Sequence, residues 1–344
     1  MNPEKTINKP KKESQNLKNS FKYQLLADRS KHYESQCSTI IINQQNNILI
    51  VPANNGIILY QFKQGYLKQI KTIKICYKIM SEIQFFKKGS HFITCSYIYI
   101  NSVVITLWPT NLLSNPKYTN KLIEHTQMIY CLVTLSQEFI TGAKDGKIKF
   151  WAMLKSWLCL QTINEHSKSI SGLCINQDGN RLISSGEDNI ILFMERSNLN
   201  IWEVKQKIPV KIFSLRMTFI TNDVFSFSLA IYSINFFYSY DQSTQQFLKT
   251  KELKYSNKKC QYVPHFQQIY IPQKQILVSK LGSKVYLIKF AFQSNIKFKC
   301  KSQQVIKFKL SDAIIYGTMT SDGEYLITWD IMSQQIQIRQ YKSI

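Results

Sequence analysis

Apolar and polar residues alternate along most of this chain in short runs separated by turn-forming clusters, the pattern of half-buried β-strands. It is clearest between residues 124 and 195, where one arrangement occurs twice in tandem. The first copy runs from Glu124-His125 through residues 129–133 to 139–151, and the second from Glu165-His166 through 170–175 to 182–194. Each copy reads as strand, turn, strand, tight turn, strand. The tight turn holds Asp145-Gly146 in one and Asp188-Asn189 in the other, pairs that suit a sharp reversal between antiparallel strands. The copies are offset by roughly 43 residues, a period that suits propeller blades.

Fainter units flank this pair. Residues 38–43, 47–52 and 56–62 make a first, and 82–86, 91–96 and 103–108 a second. A fifth takes 214–221, 223–229 and 233–238, a sixth 268–272, 275–279 and 284–290, and a seventh 314–320, 324–328 and 335–341. Lined up on the end of the third strand, near Gln61, Trp108, Trp151, Met194, Tyr238, Ile288 and Ile338, they recur about every 43 to 51 residues. Residues 21–26 add one strand ahead of the first unit. Residues 1–20, rich in Lys and Asn with almost nothing apolar, read as a disordered basic tail.

The units resemble WD-repeat proteins over roughly residues 21–344, most specifically in units three and four. There the family's buried tetrad is matched by His125, Thr141, Asp145 and Trp151, then by His166, Ser184 and Asp188, with Met194 where the family has Trp. The resemblance implies an all-β fold, a seven-bladed β-propeller of four-stranded antiparallel blades. It also implies that residues 21–26 complete the last blade beside residues 335–341, leaving no open edge there. Both histidines then become structural, because a chain of imidazole, hydroxyl, carboxylate and indole satisfies every buried polar group in it. Unit one has Asn55 and Val51 where the carboxylate and hydroxyl belong; unit two keeps Thr94 and Trp108 without a histidine. Trp329-Asp330 looks like the family dipeptide but ends a second strand, not a third, and is coincidental. The closing unit around residues 322–330 is similar to an expanded group of WD-repeat proteins of single-celled eukaryotes, whose function is unassigned.

Composition narrows the function. At 44% apolar and 13% aromatic residues the chain has the material for a large core. Eight cysteines form no CxxC pair, and several fall among Ile and Leu inside expected strands, where a thiol is a small core residue. With no signal peptide visible, a reducing cytoplasmic setting is expected; Lys-Pro-Lys-Lys at 9–12 has the form of a nuclear-import signal. The most apolar stretches, 97–108 and 213–240, are broken by polar residues, so no transmembrane helix is expected. No nucleophile elbow, zinc-protease motif, phosphate loop or dinucleotide fingerprint occurs, and the five histidines are dispersed. The expectation is a protein that is not an enzyme and binds no cofactor or metal.

The net charge of +23 is the other informative number, because a basic surface attracts nucleic acid, anionic membrane or acidic protein. Residues 249–310 are crowded with lysine and contain one acid, Glu252. Within them, 296–301 and 306–310 alternate apolar residues with Lys, which displays Lys297, Lys299, Lys301, Lys307 and Lys309 as a basic patch. That patch suits an acidic partner; alternatively, its lysines discourage edge-to-edge aggregation. The expected function, partly by family analogy, is a non-catalytic scaffold or adaptor binding other proteins in a multiprotein complex. Two further readings stand beside it. In length and bare architecture the chain also resembles the WD-repeat client adaptor of cytosolic iron–sulfur cluster assembly. From a different class, the lysine-rich face would bind RNA or anionic lipid, although the Phe-Arg-Arg-Gly motif of phosphoinositide-binding propellers is missing.

Overall fold

The structure is a computed structural model. It describes residues 20–344 apart from 36, 55, 76–78, 88–90, 100–101, 111–119, 214–215, 230–231, 260–265 and 310–313. The expected tail, save Ser20, and Asn55 lie outside the described residues.

Every sheet is a blade, and its four main strands are lettered a to d from the axis outward; the sheet of blade seven has a fifth, Lys31–His32, paired with Gln335 and Ile336. Blade one consists of Ile41–Ile42, Ile48–Ala53, Gly56–Lys63 and Tyr66–Lys74 in that order. Blade two takes Ile79–Phe85, His91–Tyr99, Ser102–Pro109 and Asn120–Leu122. Blades three and four are Ile129–Thr134, Glu138–Ala143, Ile148–Met153 and Trp157–Ile163, then Ile170–Ile175, Arg181–Gly186, Ile190–Arg196 and Trp202–Pro209. Blade five has Arg216–Thr221, Val224–Ser228, Tyr232–Asp241 and Gln246–Lys259; blade six has Ile269–Ile271, Ile276–Leu281, Lys284–Phe292 and Phe298–Lys307.

Blade seven closes the ring as expected. Its a, b and c strands are Ile315–Met319, Tyr325–Asp330 and Gln335–Ser343, and its outermost strand is Phe21–Leu25 from the other end of the chain. The register sets Phe21 against Ser343 and Leu25 against Arg339. Buried Tyr23 donates its hydroxyl to the Gly323 carbonyl at 2.6 Å, and Ser20 and Ile344 exchange hydrogen bonds. Trp329-Asp330 does end strand b of this blade; the indole donates to the Tyr33 carbonyl.

The cores lie between blades, one at each of the seven interfaces. Strand alternation makes this necessary: successive side chains face opposite sides of a blade, and each side meets a neighbour. In strand c of blade six, Val285 and Leu287 pack toward blade seven while Tyr286, Ile288 and Phe290 pack toward blade five. A β-bulge recurs where strand c meets strand d, at Tyr60, Trp151, Met194, Tyr238 and Ile288 of blades one, three, four, five and six. These are the positions at which the sequence units line up, corrected by one in blade one, where Tyr60 replaces Gln61. The repeat therefore survives in backbone geometry where its signature residues are lost.

Candidate functional site

Turns between strands b and c, together with the connections from one blade to the next, share one face of the ring, the upper face. His125 and His166 enter that face on the connections into blades three and four. Gly146, with φ of +77°, gives blade three its tight turn, and a Cβ there would meet the His166 carbonyl at 3.0 Å. The turn delivers Asp145, whose carboxylate lies 2.9 Å from His125 Nδ1 and accepts the amides of Thr126 and Lys147. His125 Nε2 is 2.7 Å from Thr141 Oγ1, to which the Trp151 indole donates at 2.9 Å.

In blade four, His166 joins Asp188 at 3.0 Å and Ser184 at 2.8 Å, and Asp188 accepts the amides of Ser167 and Ile190. Glu187-Asp188 lies in this turn itself. Met194, fully buried, offers no N–H, so Ser184 meets the histidine alone. Burial by itself would push the Asp145 carboxyl up, but the His125 contact and two backbone amides outweigh it and hold the group below the usual carboxylate range. His166 shows the opposite balance: burial, against Asp188, lowers its pKa.

Two other blades reproduce the outer half of this link. Trp108 donates to Thr94 at 2.9 Å in blade two, and in blade seven the Arg339 guanidinium donates to Thr328 at 2.7 Å from the indole's place. Burial lowers Arg339 to about 10. These polar groups are engaged within the blades, and among the described residues no group of three or more His, Cys, Asp or Glu could hold a metal ion.

The turn of blade four also builds the wall of a cleft. Asn189 adopts a left-handed backbone, φ +63°; its carbonyl accepts Val210 N–H and its side chain accepts Phe213 N–H. That holds the connection into blade five against strand c of blade five, enclosing a cleft of about 660 Å³. Tyr232, Ile234, Phe236 and Tyr238 form one wall, and Lys211, Lys249 and Lys254 stand at it with Glu252. Lys249 Nζ lies 3.8 Å from the Phe236 ring centre and pairs with Glu252 at 3.0 Å.

The expected lysine patch lies mainly on strand d of blade six. Lys297, Lys299, Lys301, Lys307 and Lys309 are all exposed. They do not form one row. The bulge at Gln303 reverses the alternation, so Lys299 and Lys301 stand on the side of blade seven and Lys307 on the side of blade five. Ile296, expected to face inward, is exposed.

The sequence of blades three and four matches the family model for the WD domain, G-beta repeat, at residues 116–152 and 157–193. This chain is a propeller that carries WD40 repeats. The WD-repeat propeller is 22% identical over 161 residues to the anaphase-promoting complex subunit cdc20 of Dictyostelium discoideum, covering 47% of this chain and 29% of that protein. It thus spans under a third of that relative's length. In fold it is similar to a chain in a crystal structure of a mitotic checkpoint complex, with a TM-score of 0.72 and 13% identity over 99% of this chain and 98% of that one.

The structure brings His125, Thr141, Asp145 and Trp151 together, and likewise His166, Ser184 and Asp188. Sequence reasoning missed the cleft and Arg339. The signal for the first was present: in strand c of blade five an apolar or aromatic residue occupies every second position from Tyr232 to Tyr240.

Proposed function

We propose that this WD-repeat propeller is a non-catalytic protein-interaction scaffold, a subunit or adaptor of a multiprotein complex, whose partner seats an apolar side chain in the upper-face cleft. The observation that carries the reading is the cleft: an aromatic wall on a rigid strand, open to solvent and flanked by lysines. The names of the anaphase-promoting complex subunit and the mitotic checkpoint complex, both multiprotein assemblies, support it by analogy. An iron–sulfur client adaptor shares these general features and gains nothing specific from the geometry.

Affinity purification of the tagged chain from its native cell tests the proposal. The expected result is a defined set of co-purifying proteins that survives high salt and is depleted when Tyr232 and Phe236 are both replaced by alanine. Recovery of the chain alone, or a set unchanged by that double variant, overturns it.

A further inference from the structure

Strand d of blade six carries a charge arrangement that solubility does not require. Lys289 on strand c stands directly opposite Lys301 on strand d, and Lys284 directly opposite Lys307. Like charges at directly paired positions weaken a sheet. One lysine per edge suffices to deter pairing with another chain, so the doubled pairs ask for another account. On blades four and five some outer-strand lysines are neutralised: Lys205 pairs with Glu203, Lys207 with Glu165 and Lys249 with Glu252. Among the described residues no carboxylate lies within ion-pair distance of Lys297, Lys299 or Lys301. Lys289 is half-buried and donates to the Lys274 carbonyl, and Lys274 itself is engaged by Glu324 at 2.6 Å.

The same strand is the outermost of its sheet, so its outward amides and carbonyls join no further strand. Up to the bulge at Gln303 it is regular, with Phe298 and Cys300 facing blade five and Lys299 and Lys301 on the opposite side. No exposed aromatic side chain is interleaved with these lysines, and the cations are all lysine without arginine. A single-stranded nucleic acid would lack stacking platforms there. An extended chain with acids at every second position fits both features, since it satisfies the edge and sets a carboxylate beside each lysine.

We propose that the stretch 298–302 is a docking edge for an acidic, extended peptide segment of a partner protein, which adds to blade six as a fifth strand. Its carboxylates lie against Lys299 and Lys301 and relieve the repulsion between Lys301 and Lys289. This goes beyond the cleft reading and stands or falls separately from it.

The test uses the full chain and an alternating Glu–Thr peptide as long as the strand, titrated at low and rising salt. Expected results are saturable binding that weakens with salt, slowed amide exchange at 298–302, and loss of binding when proline interrupts the peptide. The double variant Lys299→Glu/Lys301→Glu is expected to lower affinity at least tenfold, while Lys307→Glu, on the other side of the blade, leaves it within twofold. Equal losses in both variants would mean diffuse charge attraction and overturn the proposal. Absence of peptide binding at low salt, as a purely protective edge requires, also overturns it. So does tighter binding, dependent on Lys299 and Lys301, by an oligouridylate or by phosphatidylserine vesicles. Co-purifying partners that persist in the double variant leave the cleft reading intact while this one fails.

Discussion

Thr141 joins His125 and Trp151 through one oxygen, and each of those partners is buried. Removing the hydroxyl therefore strands two groups, whereas Ser184→Ala strands only His166. Leaving a buried polar group unpaired costs about 1–3 kcal/mol. Thr141→Val should thus destabilise by about 2–6 kcal/mol and Ser184→Ala by about 1–3 kcal/mol, measured by denaturant titration at neutral pH. The two depressed pKa values give a pH dependence with a definite sign. A depressed folded-state pKa means the unfolded chain binds more protons, so stability is present above the unfolded value and falls as pH drops through the folded one. For His166 the loss begins near the ordinary histidine value of about 6.5, and for Asp145 near about 3.9. His166→Gln should flatten the decline below about pH 6.5 and leave the acid limb of Asp145 in place; an unaltered profile between pH 7 and 5 would refute the assignment.

At the level of the strand, Tyr23 is the fastener of blade seven. It is buried among Phe21, Met319 and Ile271, and its hydroxyl reaches Gly323. Tyr23→Ala should cost about 3–5 kcal/mol, in the range of other aromatic deletions from a core, and Tyr23→Phe about 1–2 kcal/mol through the unpaired Gly323 carbonyl. Thermal melts of the two variants check the order. The strand's role was legible in the sequence because an odd segment before the first unit and a three-strand unit at the end require one another. Blades three and four were legible for a chemical reason, since Asp-Gly and Asp-Asn mark a tight turn and a histidine precedes each repeat. Blade seven was not: a guanidinium donates to Thr328 as an indole would, yet Arg339 does not look like tryptophan in a pattern of letters. The cleft was hidden because one wall belongs to a connection whose course depends on Asn189, a residue of the neighbouring blade. The splitting of the lysines was hidden for a similar reason, as the bulge at Gln303 shows only once strands c and d are paired.

Across the whole molecule, a net charge of +23 opposes compaction, and screening should relieve it. The melting temperature is expected to rise between low and moderate sodium chloride. Lys301→Glu should itself raise stability, by about 0.2–1 kcal/mol, since a directly opposed like pair becomes an opposite one; a fall would mean that Lys289 and Lys301 do not repel. The same change should weaken docking of an acidic strand, so stability and binding would move in opposite directions in one variant. The seam in blade seven reaches beyond energetics. Its outer strand leaves the ribosome before its partner and must wait, unpaired, for residues 335–343, so until then the propeller is a gapped crescent with the apolar flanks of blades six and one uncovered. Whatever guards those flanks in the cell is needed longest for this last joint, and a nascent chain stalled short of Gln335 should stay chaperone-bound however well its earlier blades have formed.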